Sequence, residues 1–328
     1  MDDAKLGAVI EAVVKELLAA GVVTPAYTTA PAPLPPPTTP AITVAPLTDV
    51  RDSDFVPVQD KVQDKVHDLV IDLPEPTTPE RRYAPGVANP KDPEGLQSLV
   101  AATTARIGVG RAGPRYRTES LLLFQADHAI TQDALYRDVD QHLLDELGLF
   151  TVQTMVTGGK QEYLLRPDLG RQLSDEAKRV ITERCVKRPA IQLCVGDGLS
   201  AAAVEANLRQ MLPVIRQGVQ AAGLTLGTPF FVQHCRVGVI NDIGDLLQPD
   251  VVILLIGERP GLGRADSLSA YMAYRPKAGD TDGDRDVICN IFEAGGTNPL
   301  EAAAFVVQLA QKMRQYQASG VKLKLATR

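Results

Sequence analysis

Hydrophobic positions change their spacing several times along this chain, and each change marks a different kind of segment. From residue 2 to residue 20, Leu6, Val9, Ile10, Val13, Val14, Leu17 and Leu18 recur three and four apart, with Asp2, Asp3, Lys5, Glu11, Lys15 and Glu16 between them. That spacing predicts an amphipathic helix over residues 1–20, ended by Gly21 and Pro25. Pro25 to Pro46 holds eight prolines in 22 residues, with Ala and Thr between them. Such a stretch is a semi-rigid extended linker and not a fold. Next comes VQDKVQDKVHDL, where Val58, Val62, Val66 and Leu69 stand near helical spacing among many charges. A segment this polar stays solvated until bound. Residues 21–95 are therefore expected to be a Pro-rich and acidic linker, largely disordered.

Order is expected to resume near Pro93. Leu96 to Ile107 has a helical pattern, GVGRAGPRYRT is turn-rich, and Thr118 to Asp145 gives an apolar face through Leu121, Leu122, Phe124, Ala129, Leu135, Val139 and Leu143. Phe150–Val156 and Glu162–Leu165 suggest short extended segments, and Ser174–Arg184 a further helix. Residues 96–186 thus form a mainly helical first lobe. The second lobe, 187–328, alternates strands and helices. Ala190–Val195 is a short apolar run, and Val204, Leu208, Met211, Leu212, Ile215 and Val219 mark a helix ending at Gly223. Phe230–Val237 is apolar and extended, Val239–Leu247 a short helix, and Leu268–Tyr274 a possible strand. Val251–Ile256, VVILLI, predicts a strand buried on both faces, as in a parallel sheet with helices on either side. Asn298 as N-cap, Pro299 at the first position and Glu301 open the last helix, with Gly320 as its stop.

Charge sharpens the division. The 328 residues carry 34 Lys plus Arg and 40 Asp plus Glu, a net charge of −6. Nine acids against three bases between Asp49 and Glu80 account for that whole excess. The rest is neutral overall, which argues against nucleic-acid binding. Cys185, Cys194, Cys235 and Cys289 show no CxxC spacing and the four histidines are scattered. Neither a disulfide framework nor a zinc site is indicated. No run reaches membrane-spanning length, and the N-terminus lacks a signal-peptide pattern. A soluble, cytoplasmic protein is expected.

Candidate chemistry gathers where the buried strands end. Gly257, Glu258, Arg259, Pro260, Gly261 and Gly263 follow the VVILLI run, and Gly196-Asp197-Gly198 follows the first strand. Open α/β sheets place ligands at the carboxyl ends of their strands. Two glycine-rich ends facing one crevice suggest a large flat ligand approached by backbone. Glu258 can accept hydrogen bonds from ligand amides, or form a structural pair with Arg259. Asp197 is expected to cap its own helix. Cys289, with apolar neighbours in DVICNIF, reads on its own as a small core residue. There is no P-loop, GxSxG or HExxH, and GVGRAG at 108–113 follows a helical segment instead of a strand. Asp140 to Asp145, DQHLLD, lacks the final glycine of a cobalamin DxHxxG motif, which leaves His142 an ordinary helix residue. Much binding surface without an acid–base set looks like half of an enzyme.

Several blocks carry a family resemblance: TARIGVGRAGPRYRTESLLLFQADHAITQDAL (Thr104 to Leu135), EYLLRPDLGRQL (Glu162 to Leu173), VGDGLSAAAVEANL (Val195 to Leu208), VILLIGERPGLGRADSLSAY (Val252 to Tyr271) and GGTNPLEAAAFVVQLAQKM (Gly295 to Met313). Together they resemble the small subunit of adenosylcobalamin-dependent ethanolamine ammonia-lyase, in register from about Leu96 to Leu323. The resemblance implies an α/β fold in which residues 187–328 are a Rossmann-like cobalamin-binding domain. It implies a larger barrel subunit as partner, holding the substrate, with adenosylcobalamin between the two. Homolysis of the cobalt–carbon bond would begin the deamination of ethanolamine to acetaldehyde and ammonia. The cofactor carries the hard chemistry and this chain supplies binding and orientation. By the same resemblance, Val237 in CRVGV, Glu258 in GERPG and Cys289 in VICNI fall on cobalamin contacts. Residues 1–20 resemble sorting peptides that load this enzyme into a bacterial microcompartment through its shell proteins. The rival expectation is a non-catalytic α/β module carrying cobalamin or a nucleotide.

Overall fold

The computed structural model describes residues 78–103, 105–293 and 295–327, so the amphipathic stripe at 1–20 and most of the Pro-rich and acidic stretch lie outside the described residues. Within the span read as linker, Pro79–Arg82 (α1) is a helical turn, and Asp92 caps Pro93–Ala101 (α2) by accepting from the Gly95 N–H at 2.9 Å. GVGRAGPRYR folds as a small hairpin, Arg111–Ala112 (β1) against Arg115–Tyr116 (β2). The long helical pattern after it divides into Thr118–Tyr136 (α3) and Gln141–Glu146 (α4). Then follow Phe150–Gln153 (β3), Gly159–Leu165 (α5), Asp175–Arg184 (α6), Ile191–Gly196 (β4), Ala201–Ala221 (α7) and Phe230–Gln233 (β5). Val239–Leu247 (α8), Val251–Gly257 (β6), Leu268–Tyr274 (β7), Asp286–Ile291 (β8), Pro299–Tyr316 (α9) and Gly320–Ala326 (α10) complete the chain.

One six-stranded sheet, in the order β3-β5-β4-β6-β7-β8, organises these elements. The first four strands run parallel, and β7 and β8 are added antiparallel, so the sheet is mixed. Every residue of β4 and β6 is buried, as an uninterrupted apolar strand requires when both faces are covered. Alternate side chains serve two cores. Leu193, Val195, Ile253 and Leu255 pack with Leu208, Met211 and Ile215 of α7 and with Val306 of α9. Cys194, Val252, Leu254 and Ile256 pack on the other face with Ile181 of α6 and with Ile240 and Ile243 of α8. Each buried aliphatic side chain of this size contributes about 1.5–3 kcal/mol relative to exposure.

The first lobe of the sequence reading is joined to the second by the sheet itself. Phe150 of β3 stands opposite Phe230 of β5, and the described residues belong to a single compact unit. Among the described residues no helix is long and apolar enough to cross a membrane.

Three local expectations are corrected. Glu162–Leu165 lies in helix α5, because the Glu162 carboxylate accepts from the N–H groups of Thr157 (2.8 Å) and Gly158 (2.7 Å) and so closes the first turn. Phe230–Val237 stops being a strand after Gln233, where His234 takes a left-handed φ of 56°. Gly320 does not stop the last long helix. That helix ends at Tyr316 with Gln317 left-handed at φ 50°, and Gly320 opens α10. The Asn298 cap holds, accepting from the Leu300 N–H at 2.9 Å.

Candidate functional site: the carboxyl edge of the sheet

At the carboxyl ends of β4, β5 and β6 the chain builds a polar rim. Asp197, just past β4, is buried and turns its carboxylate sideways toward the exit of β5. It accepts from the N–H groups of His234 (3.0 Å) and Cys235 (2.8 Å) and meets the Lys160 ammonium of α5 at 2.6 Å. Asp197 therefore caps no helix. Ser200 is the N-cap of α7 and accepts from the Ala203 N–H at 3.2 Å. Burial lowers the His234 pKa from its usual value and keeps the ring neutral, against the pull of Asp197. Asp138, Asp197 and His234 offer ligand atoms within 4.8 Å of one another, but the Lys160 ammonium already supplies the cation among them.

The glycine-rich ends do not present backbone to a ligand, as the sequence suggested. Gly198 and Gly257 press against each other. A Cβ on Gly198 would stand 2.1 Å from the Gly257 carbonyl oxygen, which accepts from the Leu199 N–H at 3.0 Å. The missing side chains let two loops close.

An open hollow of about 870 Å3 lies between α8 and the β7–β8 edge of the sheet, and its walls include Arg171, Arg236, Val237, Tyr271, Arg285 and Val287. Val237 is half-buried in its wall. Glu258 is half-buried immediately after β6 and accepts from the Tyr271 hydroxyl at 3.4 Å. Burial, then the Glu258 charge, pushes the Tyr271 pKa up to about 12, so the phenol keeps its proton at neutral pH. Among the described residues no ion pair joins Glu258 to Arg259, which is exposed. Cys289 is exposed on β8, not in the core, because the edge strand turns that face outward. Val287, two residues earlier on the same strand, is the β8 side chain that reaches the hollow. Tyr271 stands opposite it across β7 and β8. His142 is exposed on α4, as expected of an ordinary helix residue.

The hollow suits a large ligand with an apolar face and a polar rim. Val237 and Val287 supply apolar wall, and the buried Nε donors of Arg236 and Arg285 have no partner among the described residues. No nucleophile with an adjacent base stands among the residues that line it. Among the described residues the fold and the hollow define an α/β protein with a candidate ligand surface beside α8 and no nucleophile–base pair lining it. The family model of the ethanolamine ammonia-lyase light chain matches residues 93–324. The small subunit of ethanolamine ammonia-lyase from Clostridium perfringens is 47% identical over 238 residues, 73% of this chain and 80% of the relative. Those from Listeria monocytogenes and Clostridioides difficile are 46% and 45% identical over the same shares. The chain belongs to the ethanolamine ammonia-lyase light-chain family, and a small subunit implies a large one as partner.

Tyr271, Val287 and Arg236, which line the hollow, were not singled out from the sequence, nor was the pairing of Lys160 with Asp197. Only Asp197 carried a signal, a carboxylate at the carboxyl end of a fully buried strand.

Proposed function

We propose that this chain supplies the binding face for adenosylcobalamin at a contact with the large subunit, for the deamination of ethanolamine to acetaldehyde and ammonia. The observation that carries this reading is the hollow between α8 and the β7–β8 edge of the sheet, with Val237 in its wall and Glu258 accepting from Tyr271, another wall residue. When bound, the coenzyme supplies radical chemistry through its cobalt–carbon bond. The chain's own residues bind and orient. Val237 and Val287 offer apolar contact to a flat ring. The Glu258 carboxylate, steadied by the protonated Tyr271, accepts from amide donors at the ring's edge. Cys289 lies at the margin of the same face, beyond Val287 on β8. Ethanolamine is held by the large subunit.

Equilibrium dialysis of adenosylcobalamin against this chain, the large subunit and their mixture tests the reading. The mixture is expected to bind far more tightly than either alone. Equal binding by this chain alone would favour a carrier of cobalamin. In the mixture, Glu258→Ala is expected to weaken binding by about 1–3 kcal/mol, the usual loss for a buried polar contact. An unchanged titration would remove Glu258 from the site.

The N-terminal stripe has a separate role in this proposal. An apolar helical face on a long linker is suited to lie in a groove of another protein. We assign residues 1–20 to docking on a microcompartment shell protein, within the cytoplasm. Deleting them should leave turnover of the complex intact and abolish co-sedimentation with shells. Loss of turnover on deletion would make the segment structural instead.

A further inference from the structure

The turn that carries Val237 is held from outside at three successive residues. His234 and Cys235 give their N–H groups to the Asp197 carboxylate, at 3.0 and 2.8 Å. The Cys235 carbonyl accepts from the Tyr163 hydroxyl at 2.7 Å. The Arg236 N–H donates to the Gly170 carbonyl at 2.8 Å, and its guanidinium lies 4.2 Å from the centre of the Tyr163 ring. Left to itself, a chain with a non-glycine residue at φ 56° would relax. The anchor of the whole arrangement is Asp197, which is buried and receives its charge balance from Lys160. Lys160 and Tyr163 both stand on α5, a helix that makes no strand pairing and is fixed by the Glu162 cap.

We propose that Asp197 and Lys160 are positioning residues for the coenzyme: their buried pair sets the turn 234–238 so that Arg236 and Val237 face the hollow. The proposal rests on the coenzyme reading of that hollow. Neither side chain lines it. Removing the Lys160 charge leaves the Asp197 carboxylate buried without its counter-charge, and the turn loses its reason to stay left-handed. A misplaced wall residue weakens the binding of ligand equally before and during the reaction, which raises KM and leaves kcat unchanged.

The experiment is equilibrium dialysis of cyanocobalamin against the complex with the large subunit, for wild type, Lys160→Met, Lys160→Arg and Asp197→Asn. It is paired with coenzyme KM and kcat at saturating coenzyme. Lys160→Met and Asp197→Asn are expected to raise both the cyanocobalamin Kd and the coenzyme KM about tenfold or more, with kcat little changed. Lys160→Arg keeps the charge and should restore most of the affinity. Met313→Ala, buried on the opposite face of the sheet, is the stability control and should lower Tm without moving Kd. Should Asp197→Asn fail to fold, Lys160→Met and its Lys160→Arg rescue still decide the matter. Unchanged Kd in Lys160→Met, or an equal loss in Lys160→Arg, overturns the proposal. Failure of the wild-type complex to bind cyanocobalamin would overturn the coenzyme reading itself.

Discussion

Gly198→Ala is expected to destabilise the folded chain by about 3 kcal/mol or more, from two costs that add. The residue has φ +57°, in the left-handed region, and an alanine there is strained even in open space. The added methyl would also stand 2.1 Å from the Gly257 carbonyl oxygen and 2.7 Å from Cγ1 of Ile256. The first neighbour is backbone at the end of the central strand and has no rotamer to move into. The methyl can fit only if the β4–α7 and β6–β7 connections separate, breaking the Leu199–Gly257 hydrogen bond. Gly223→Ala separates the two costs. Gly223 has φ +67°, and its added methyl would meet no atom within 4 Å, so it should lose only about 1 kcal/mol. Urea unfolding of both variants checks this, and equal midpoints would contradict it.

Asp127→Ala is expected to lower stability by about 3 kcal/mol, at the lower end for breaking a buried ion pair. Asp127 sits fully buried on α3 and accepts from Arg82 at 2.9 Å and from Arg106. Its carbonyl accepts from the Gly263 N–H at 3.2 Å, in the loop that follows Glu258. The carboxylate thus joins α1 to the segment after α2, and the backbone of the same residue holds the β6–β7 connection. Alanine would leave two guanidinium groups facing each other without their counter-charge. For a folded unit of this size the Tm should fall by roughly 6–12 °C. Proteolysis should then cut fastest between Arg82 and Arg117. An unchanged Tm would show that solvent already satisfies the two arginines.

The legible parts of this chain were those whose pattern depends on local spacing or complete burial. β6 was evident because six apolar residues in a row have one stable environment, and α8 and β7 fall where their patterns place them. The position of Glu258 was legible, since it directly follows such a strand. Asp197 shows what local reading misses. A carboxylate just before a helix fits a cap, but Ser200 took that role and the true partners are 37 and 38 residues away, in the turn that follows the neighbouring strand. Only the strand order makes them neighbours. Tyr271 was hidden for the same reason, because it meets Glu258 through the antiparallel addition of β7. Cys289 misled in the opposite direction: apolar neighbours suggested the core, while an edge strand leaves one face open.

The central claim is that this chain acts as the coenzyme-binding half of a two-subunit lyase. Its most direct test is a coenzyme-dependent acetaldehyde assay on ethanolamine, with this chain alone, the large subunit alone, and both together. The account predicts acetaldehyde only from the mixture and only with adenosylcobalamin. Equal turnover by the large subunit without this chain would contradict it.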